Sequence, residues 1–184
     1  MPTDSTEVPK YAYTIAFRGT QKEEPGDIFQ DIYQVLLNFG GLQADSAVNL
    51  VKKLIETDYR MISQLYFTGH SLGGYLAQWV QSEIIDGNLP WTDSFAVTFN
   101  APGFNSEKLF PNFSEYQEKV TEKIKNHKDE HKYDNFIINH RIIQDVISLF
   151  GTKLGTVHHY FAKLEGLDGE YYHSPGRFKE VDLR

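Results

Sequence analysis

The segment LYFTGHSLGG, residues 65–74, constrains the fold of this chain more than any other part of its sequence. An apolar run with strand character leads into Gly69, and a helical pattern begins at Leu72. The pattern Gly-x-Ser-x-Gly between a strand and a helix is typical of a sharp turn that presents a serine hydroxyl above a sheet. Gly69 and Gly73 have to be glycine, because a side chain at either position would collide with the strand or the helix. The segment therefore predicts a strand, a turn carrying the nucleophile Ser71, and a helix.

Strands and helices alternate along the rest of the chain. Strand patterns are predicted over residues 11–17, 65–68, 95–100, 136–143 and 157–164. Helical patterns are predicted over residues 28–39, 44–60, 72–85 and 113–131, the first of them ended by the Gly40-Gly41 pair. Such alternation is typical of an α/β fold with a mostly parallel sheet flanked by helices. The 184 residues suit a single domain over 11–184, preceded by a disordered lead-in over 1–10.

Composition excludes several classes of function. The net charge of -7 argues against a nucleic-acid partner and against simple electrostatic docking on anionic lipid. The absence of cysteine excludes disulfides, thiolate catalysis and cysteine-ligated zinc. No apolar run reaches the roughly 20 residues of a membrane span, so no integral membrane segment is expected. The compartment is left open between cytoplasmic and secreted, since cysteine-free proteins occur in both.

Several segments occur in the order seen in class 3 lipases. These are YTIAFRGT (13–20), FTGHSLGG (67–74), AVTFNAPG (96–103), and Ile138-Asn139 followed by Asp145-Val146. The chain resembles that family of α/β-hydrolases over about residues 11–150. The resemblance implies a serine carboxylester hydrolase without a cofactor, acting on acylglycerol or phospholipid esters at a lipid–water interface. Only about ten residues precede the first segment, where related lipases have further strands, so the sheet is expected to be small or N-terminally truncated.

The predicted acid of a catalytic triad is Asp145. A serine nucleophile needs a base, the base needs an acid to orient it, and α/β-hydrolases carry them in the chain order Ser, Asp or Glu, His. Asp145 follows the predicted strand 136–143 and resembles the family's segment of Asn, then Asp before an apolar residue. Asp134 and Asp168 are rivals in polar loops. A helix N-cap is the competing role for Asp145.

The predicted base is His173, in a turn-rich stretch near the C-terminus. Three histidines follow Asp145, and a base is usually carried by a loop over the strand ends. In the resembled family, too, the base comes late in the chain. His158 and His159 remain alternatives on the last predicted strand, where alternation implies that one is buried and one exposed. His70 is expected to point away from the site.

Two further features complete the predicted site. The oxyanion hole is expected from the backbone N–H groups of Leu72 and Thr20, and Thr20 follows Arg-Gly as Ser or Thr does in the resembled family. Residues 21–41 occupy the place of a lipase lid and are apolar on more than one face. A lid and plain core packing are equally supported for this segment.

Three competing hypotheses remain. HKDEH, residues 127–131, matches the His-x-x-Glu-His zinc pattern, but its surroundings are wholly polar, which favours a solvated helix face and no metal. The chain could also be a non-catalytic interaction module that keeps the fold. Finally, the same triad could serve a thioesterase or another acyl hydrolase, because a triad does not encode its acyl donor.

Overall fold

The computed structural model describes residues 8–19, 40–105, 114–162, 172–179 and 181–182. Within these ranges, six strands run over Tyr11–Phe17 (β1), Ile62–His70 (β2), Ser94–Phe99 (β3), Ile137–Ile142 (β4), Thr156–Ala162 (β5) and Val181–Asp182 (β6). The same ranges contain three α-helices, Gly40–Asp58 (α1), Leu72–Ile85 (α2) and Ser114–Glu130 (α3). Short 3-10 helices cover Ile147–Leu149 and Pro175–Lys179.

The strands form one sheet in the sequential order β1-β2-β3-β4-β5-β6. The first five strands pair in parallel, and β6 pairs antiparallel with β5. Because parallel strands all end at the same edge, the segments after β2, β3 and β4 meet there, and ligands of open α/β sheets bind at that edge. This is the small α/β-hydrolase-type sheet flanked by helices that the sequence predicts.

The main core lies between the sheet and the three helices. Helix α2 is apolar on nearly all sides and buried along most of its length, because it packs between the sheet and its neighbours. Alternate residues of the strands, such as Leu65 and Phe67 on β2, face the same core. Val120 and Ile124 supply the buried stripe of α3, as its periodicity predicts.

A buried ion-pair network fastens α3 to the end of α2. The ammonium group of Lys123 lies 2.7 Å from Glu83 and also pairs with Asp86. Asp86 further contacts Lys132 at 2.7 Å and accepts a hydrogen bond of 3.0 Å from the Tyr133 hydroxyl. Each buried charge therefore has an opposite charge beside it, as burial requires.

Two predicted boundaries are wrong. Strand β2 begins at Ile62, three residues before its predicted start at residue 65. The polar residue Gln64 fits in this strand because it lies on a partly exposed face and hydrogen-bonds Asp93 at 2.9 Å. Helix α1 is described from Gly40, four residues before its predicted start at Ala44, so the Gly40-Gly41 pair is helical. A side chain at Gly41 would lie 3.2 Å from the ring of Tyr116, so glycine lets α1 approach α3 closely.

Some predictions fall on segments outside the described residues. The helix over 28–39, nearly all of the 21–41 segment discussed as a lid, and most of the lead-in over 1–10 are of this kind. Among the described residues, no helix is both long and apolar enough to cross a bilayer.

Candidate active site

Ser71 occupies a strained turn between β2 and α2. Its φ of 56° and ψ of -129° lie where side chains are uncommon, a conformation that costs about 1–3 kcal/mol. The Ser71 N–H donates to the carbonyl of Phe99 at 3.1 Å, and its own carbonyl accepts from Tyr75 N–H at 3.1 Å. These backbone bonds anchor the turn to β3 on one side and to the first turn of α2 on the other.

The flanking glycines are required by the closeness of the surrounding backbone. A Cβ atom at Gly69 would lie 2.2 Å from the carbonyl carbon of Gly73, and one at Gly73 would lie 2.0 Å from the carbonyl oxygen of Phe17. No side chain tolerates such distances. The turn is thus wedged against the end of β1, which fixes the position of Ser71.

Asp145 lies directly after β4 and is fully buried. Its Oδ1 accepts the N–H of Ile147 at 3.1 Å, and its Oδ2 accepts the N–H of Ser148 at 3.3 Å. Both oxygens also lie 3.1 Å from Nδ1 of His173. The carboxylate of Asp145 therefore accepts two N–H groups of the short 3-10 helix and also contacts a histidine, although the N-cap of that helix is Val146.

The contact with Asp145 fixes the proton position on His173. An ionised carboxylate only accepts hydrogen bonds, so Nδ1 carries the ring proton and Nε2 of the neutral ring is left as a base. His173 is 5 % exposed and Ser71 is 2 % exposed. Within the described part of the chain, neither Nε2 of His173 nor Oγ of Ser71 has a hydrogen-bond partner. The two atoms are both buried, and they are not hydrogen-bonded to each other in this structure.

His70 packs on His173, contrary to the expectation that it points away from the site. The two rings lie 4.6 Å apart, and Nε2 of His70 hydrogen-bonds the backbone carbonyl of His173. Burial, and then the electrostatic effect of His173, lower the pKa of His70 to about 4. His70 is therefore neutral near pH 7. His70 follows Gly69 on β2, so the alternation of side chains along this strand was the sequence signal for the direction of His70. No local pattern in the sequence identified His173 as its partner.

Asn100 is a second residue that the sequence analysis missed. It follows β3 with a φ of 44°, and it is fully buried. Its Nδ2 donates to the carbonyl of Tyr172 at 3.0 Å, while its Oδ1 accepts the N–H of Ile142 at 2.8 Å. One side chain therefore joins the end of β4 to the segment that carries His173. The signal in the sequence was a polar residue directly after a buried strand, in FNAPG.

The alternative bases lie on β5 and make other contacts. His158 stacks on His140, with ring centroids 5.3 Å apart, and His159 pairs across the sheet with Arg141. Both His158 and His159 are exposed, so the expectation that one is buried is wrong. The reason is that β5 lies near the edge of the sheet beside the two-residue strand β6.

The predicted oxyanion donors are only partly described. Leu72 is the first residue of α2, where backbone N–H groups have no intrahelical acceptor. Thr20 lies outside the described residues. Its neighbour Gly19 lies against the turn, since a Cβ atom there would be 2.7 Å from the carbonyl oxygen of His70 and 3.4 Å from Cβ of Ser71.

The two histidines of the His-x-x-Glu-His pattern share one carboxylate. Nδ1 of His127 lies 3.4 Å from Asp134, and Nδ1 of His131 lies 2.9 Å from it. Across the described ranges, no group of three or more His, Cys, Asp or Glu side chains is arranged to hold a metal ion. These two contacts connect the C-terminal end of α3 to the turn that follows it.

A family model matches nearly the whole length of the chain. The model of a phospholipase-like family, described as the Tle-like phospholipase domain, matches residues 2–181. The finding supports the predicted lipase character, though it does not single out the class 3 lipases that the motifs resemble. A search of curated proteins finds no significant match.

Proposed function

Since the chain belongs to the phospholipase-like family, we propose that it hydrolyses the carboxylic esters of phospholipids through an acyl-enzyme on Ser71. The observation that carries the proposal is the pair of buried, uncommitted atoms, Oγ of Ser71 and Nε2 of His173, with Asp145 behind the histidine. The proposal takes residues 11–184 as one catalytic domain. The order of the motifs further supports kinship with class 3 lipases.

In the proposed reaction, Oγ of Ser71 attacks the ester carbonyl while Nε2 of His173 takes its proton. Asp145 holds the Nδ1 proton and stabilises the imidazolium that forms. His173 then gives the proton to the leaving alcohol, which departs as the lysophospholipid. Water, deprotonated by the same nitrogen, releases the fatty acid and regenerates the serine.

The developing oxyanion would be held at the start of α2. The first donor is assigned to the N–H of Leu72, the first residue of α2, where the positive end of the helix favours negative charge. The second donor is assigned to the backbone of Thr20, on the basis of the Arg-Gly-Thr motif and the position of Gly19. Loss of one such donor typically lowers kcat by about 10²–10³.

Covalent labelling and a substrate panel test the proposal. A fluorophosphonate probe should label the wild-type protein at Ser71, as mapped by mass spectrometry. The panel compares p-nitrophenyl butyrate, a triacylglycerol emulsion and phosphatidylcholine vesicles. Ser71→Ala should abolish both labelling and turnover, and Ser63→Ala, which changes an exposed serine, should abolish neither.

Each contrary result has a defined meaning. A folded wild-type protein that reacts with neither the probe nor any ester would be a non-catalytic module, and the proposal would fail. Labelling at Ser71 with turnover of acyl thioesters alone would instead identify a thioesterase. Turnover that survives Ser71→Ala would move the nucleophile elsewhere.

A further inference from the structure

Three basic side chains gather on one face of the sheet beside β4 and β5. Arg141 on β4 lies directly opposite His159 on β5, and paired residues of neighbouring strands point to the same face. Lys153 belongs to the segment that leads into β5. That segment crosses the same face, because Asn139, two residues before Arg141, hydrogen-bonds the carbonyl of Leu154 at 2.7 Å.

Lys153 and Arg141 have few hydrogen-bond partners among the described residues. Lys153 is 7 % exposed, yet within the described ranges its ammonium group has a single hydrogen bond, to the carbonyl oxygen of Phe150 at 3.5 Å. Nε of Arg141 is buried and has no hydrogen-bond partner among the described residues. A lysine is rarely buried unless it is paired, and a buried guanidinium nitrogen likewise needs a partner, so both side chains require an explanation.

The three groups also oppose one another electrostatically. Burial, and then repulsion by Arg141, lower the pKa of Lys153 to about 8. Burial, Arg141 and Lys153, in that order, lower the pKa of His159. Burial likewise lowers the pKa of Arg141. The space between these side chains therefore has an excess of positive charge.

The nearest acid does not balance this charge. Asp145 attracts both Arg141 and Lys153, but neither is within 4.0 Å of it among the described ion pairs. Its oxygens are already occupied by His173 Nδ1 and two backbone N–H groups. Among the described residues, therefore, no carboxylate forms an ion pair with Arg141 or Lys153.

We propose that Arg141, Lys153 and His159 form a subsite for a phosphate-type oxyanion beside the Asp145–His173 pair. Of these three side chains, Lys153 is buried, Arg141 is half-buried and His159 is exposed. A guanidinium group suits phosphate because its N–H groups can bind two oxygens at once. The source of the oxyanion is either a phospholipid head group or free phosphate. The first of these rests on the proposed function, because the phosphodiester of a phospholipid lies only a few bonds from its acyl esters.

Binding is tested first, without any reaction. The melting temperature is measured in sodium phosphate and in sodium chloride of equal ionic strength, for wild type, Arg141→Gln and Lys153→Met. Phosphate should raise the melting temperature of the wild type but of neither variant, because a ligand stabilises only the form that binds it. Lys125→Met, which removes an exposed lysine of α3, should keep the wild-type response. An equal response in all four proteins, or none in the wild type, would overturn the subsite.

Turnover then distinguishes the two sources of the oxyanion. The ratio of kcat/KM for phosphatidylcholine to that for a diacylglycerol with the same chains is measured in one detergent. If the head group is bound here, this ratio should fall about ten- to hundredfold in both variants, the worth of a hydrogen bond to a charged group. Loss of phosphate binding with an unchanged ratio supports the subsite with free phosphate as its ligand.

Two outcomes distinguish the subsite from a supporting role of the cations and from the proposed function. A proportional loss on both lipids, with phosphate binding retained, would overturn the subsite and leave the cations as supports of Asp145. Absence of any Ser71-dependent turnover would defeat the proposed function, whereas the melting experiment would still decide the subsite.

Arg141→Lys keeps the charge without the paired N–H geometry, and it should bind phosphate more weakly than wild type but better than Arg141→Gln.

Discussion

The side-chain amide of Asn100 donates a hydrogen bond of 3.0 Å to the carbonyl oxygen of Tyr172, the residue directly before His173. The other end of the same amide accepts the N–H of Ile142 at 2.8 Å. The N–H of Asp145 in turn donates to the carbonyl of Ile142 at 3.0 Å. The predicted acid and the predicted base are therefore attached to one buried side chain that follows the neighbouring strand.

Asn100→Asp should uncouple these two segments with little change of shape. The aspartate still accepts the Ile142 N–H, but it repels the Tyr172 carbonyl instead of donating to it. We expect kcat on p-nitrophenyl butyrate to fall at least tenfold, with KM nearly unchanged, since a small displacement of a catalytic group is costly. Asn135→Asp, in an exposed turn, is the matched control. A rise in KM alone would show that Asn100 does not position the histidine.

The local features of this site could be predicted from the sequence, whereas its long-range contacts could not. The turn at Ser71 follows from glycine spacing between a strand and a helix, and the order of strands and helices follows from their periodicities. Asn100 and Tyr172 are 72 residues apart, and His70 and His173 are 103 apart. Such contacts depend on the sheet order, which places the ends of separate strands side by side, and no local pattern encodes them.

Asp145→Asn should test the role of the carboxylate in holding the tautomer of His173. The amide has the same size, but its NH₂ group can face Nδ1 and favour a proton on Nε2, which removes the base. A loss of roughly 10⁴ in kcat is expected if the triad operates as proposed. The fluorophosphonate labelling rate of Ser71 should fall with it. Activity within a few fold of wild type would remove Asp145 from the mechanism.

Gly73→Ala should disrupt the packing of the turn against β1. The added Cβ atom would lie 2.0 Å from the backbone carbonyl oxygen of Phe17, which cannot move without shifting the strand. We expect a loss of about 1–3 kcal/mol or more in the free energy of unfolding, measured in urea. Gly176→Ala is the control, because the nearest heavy atom to its new Cβ is Ser174 Oγ at 3.7 Å. Equal effects of the two changes would contradict this account of the turn.

Lys123→Met should destabilise the fold without touching the candidate active site. Methionine fills the space of the lysine but leaves the buried Glu83 without its partner at 2.7 Å. Breaking one side of a buried ion pair costs about 3–5 kcal/mol. Lys132→Met removes a partly exposed partner of Asp86 and should cost about 1 kcal/mol or less. Urea denaturation of both variants measures the difference, and a smaller loss for Lys123→Met than for Lys132→Met would contradict the proposed burial of the network.

His70 should make the stability of the protein fall in mild acid. Burial, and then the electrostatic effect of His173, lower its pKa in the folded protein to about 4, against 6.5 for the free side chain. The hydrogen bond to the His173 backbone and the charge of Asp145 act in the opposite direction. Between these two values the unfolded chain binds a proton that the folded chain does not, so stability is full above pH 6.5 and declines as the pH falls towards 4. The loss attributable to His70 is at most about 3 kcal/mol.

His70→Gln isolates this contribution, because glutamine keeps an amide donor for the His173 carbonyl but does not titrate. Urea denaturation of wild type and variant is compared at several pH values between 7 and 4. The remaining histidines with lowered pKa, His127, His140 and His159, are present in both proteins, so the difference in slope belongs to His70. We expect the variant to lose less stability than wild type over this interval. Parallel curves would mean that His70 takes up its proton equally well in the folded chain, and that its contact with His173 does not depend on a neutral ring.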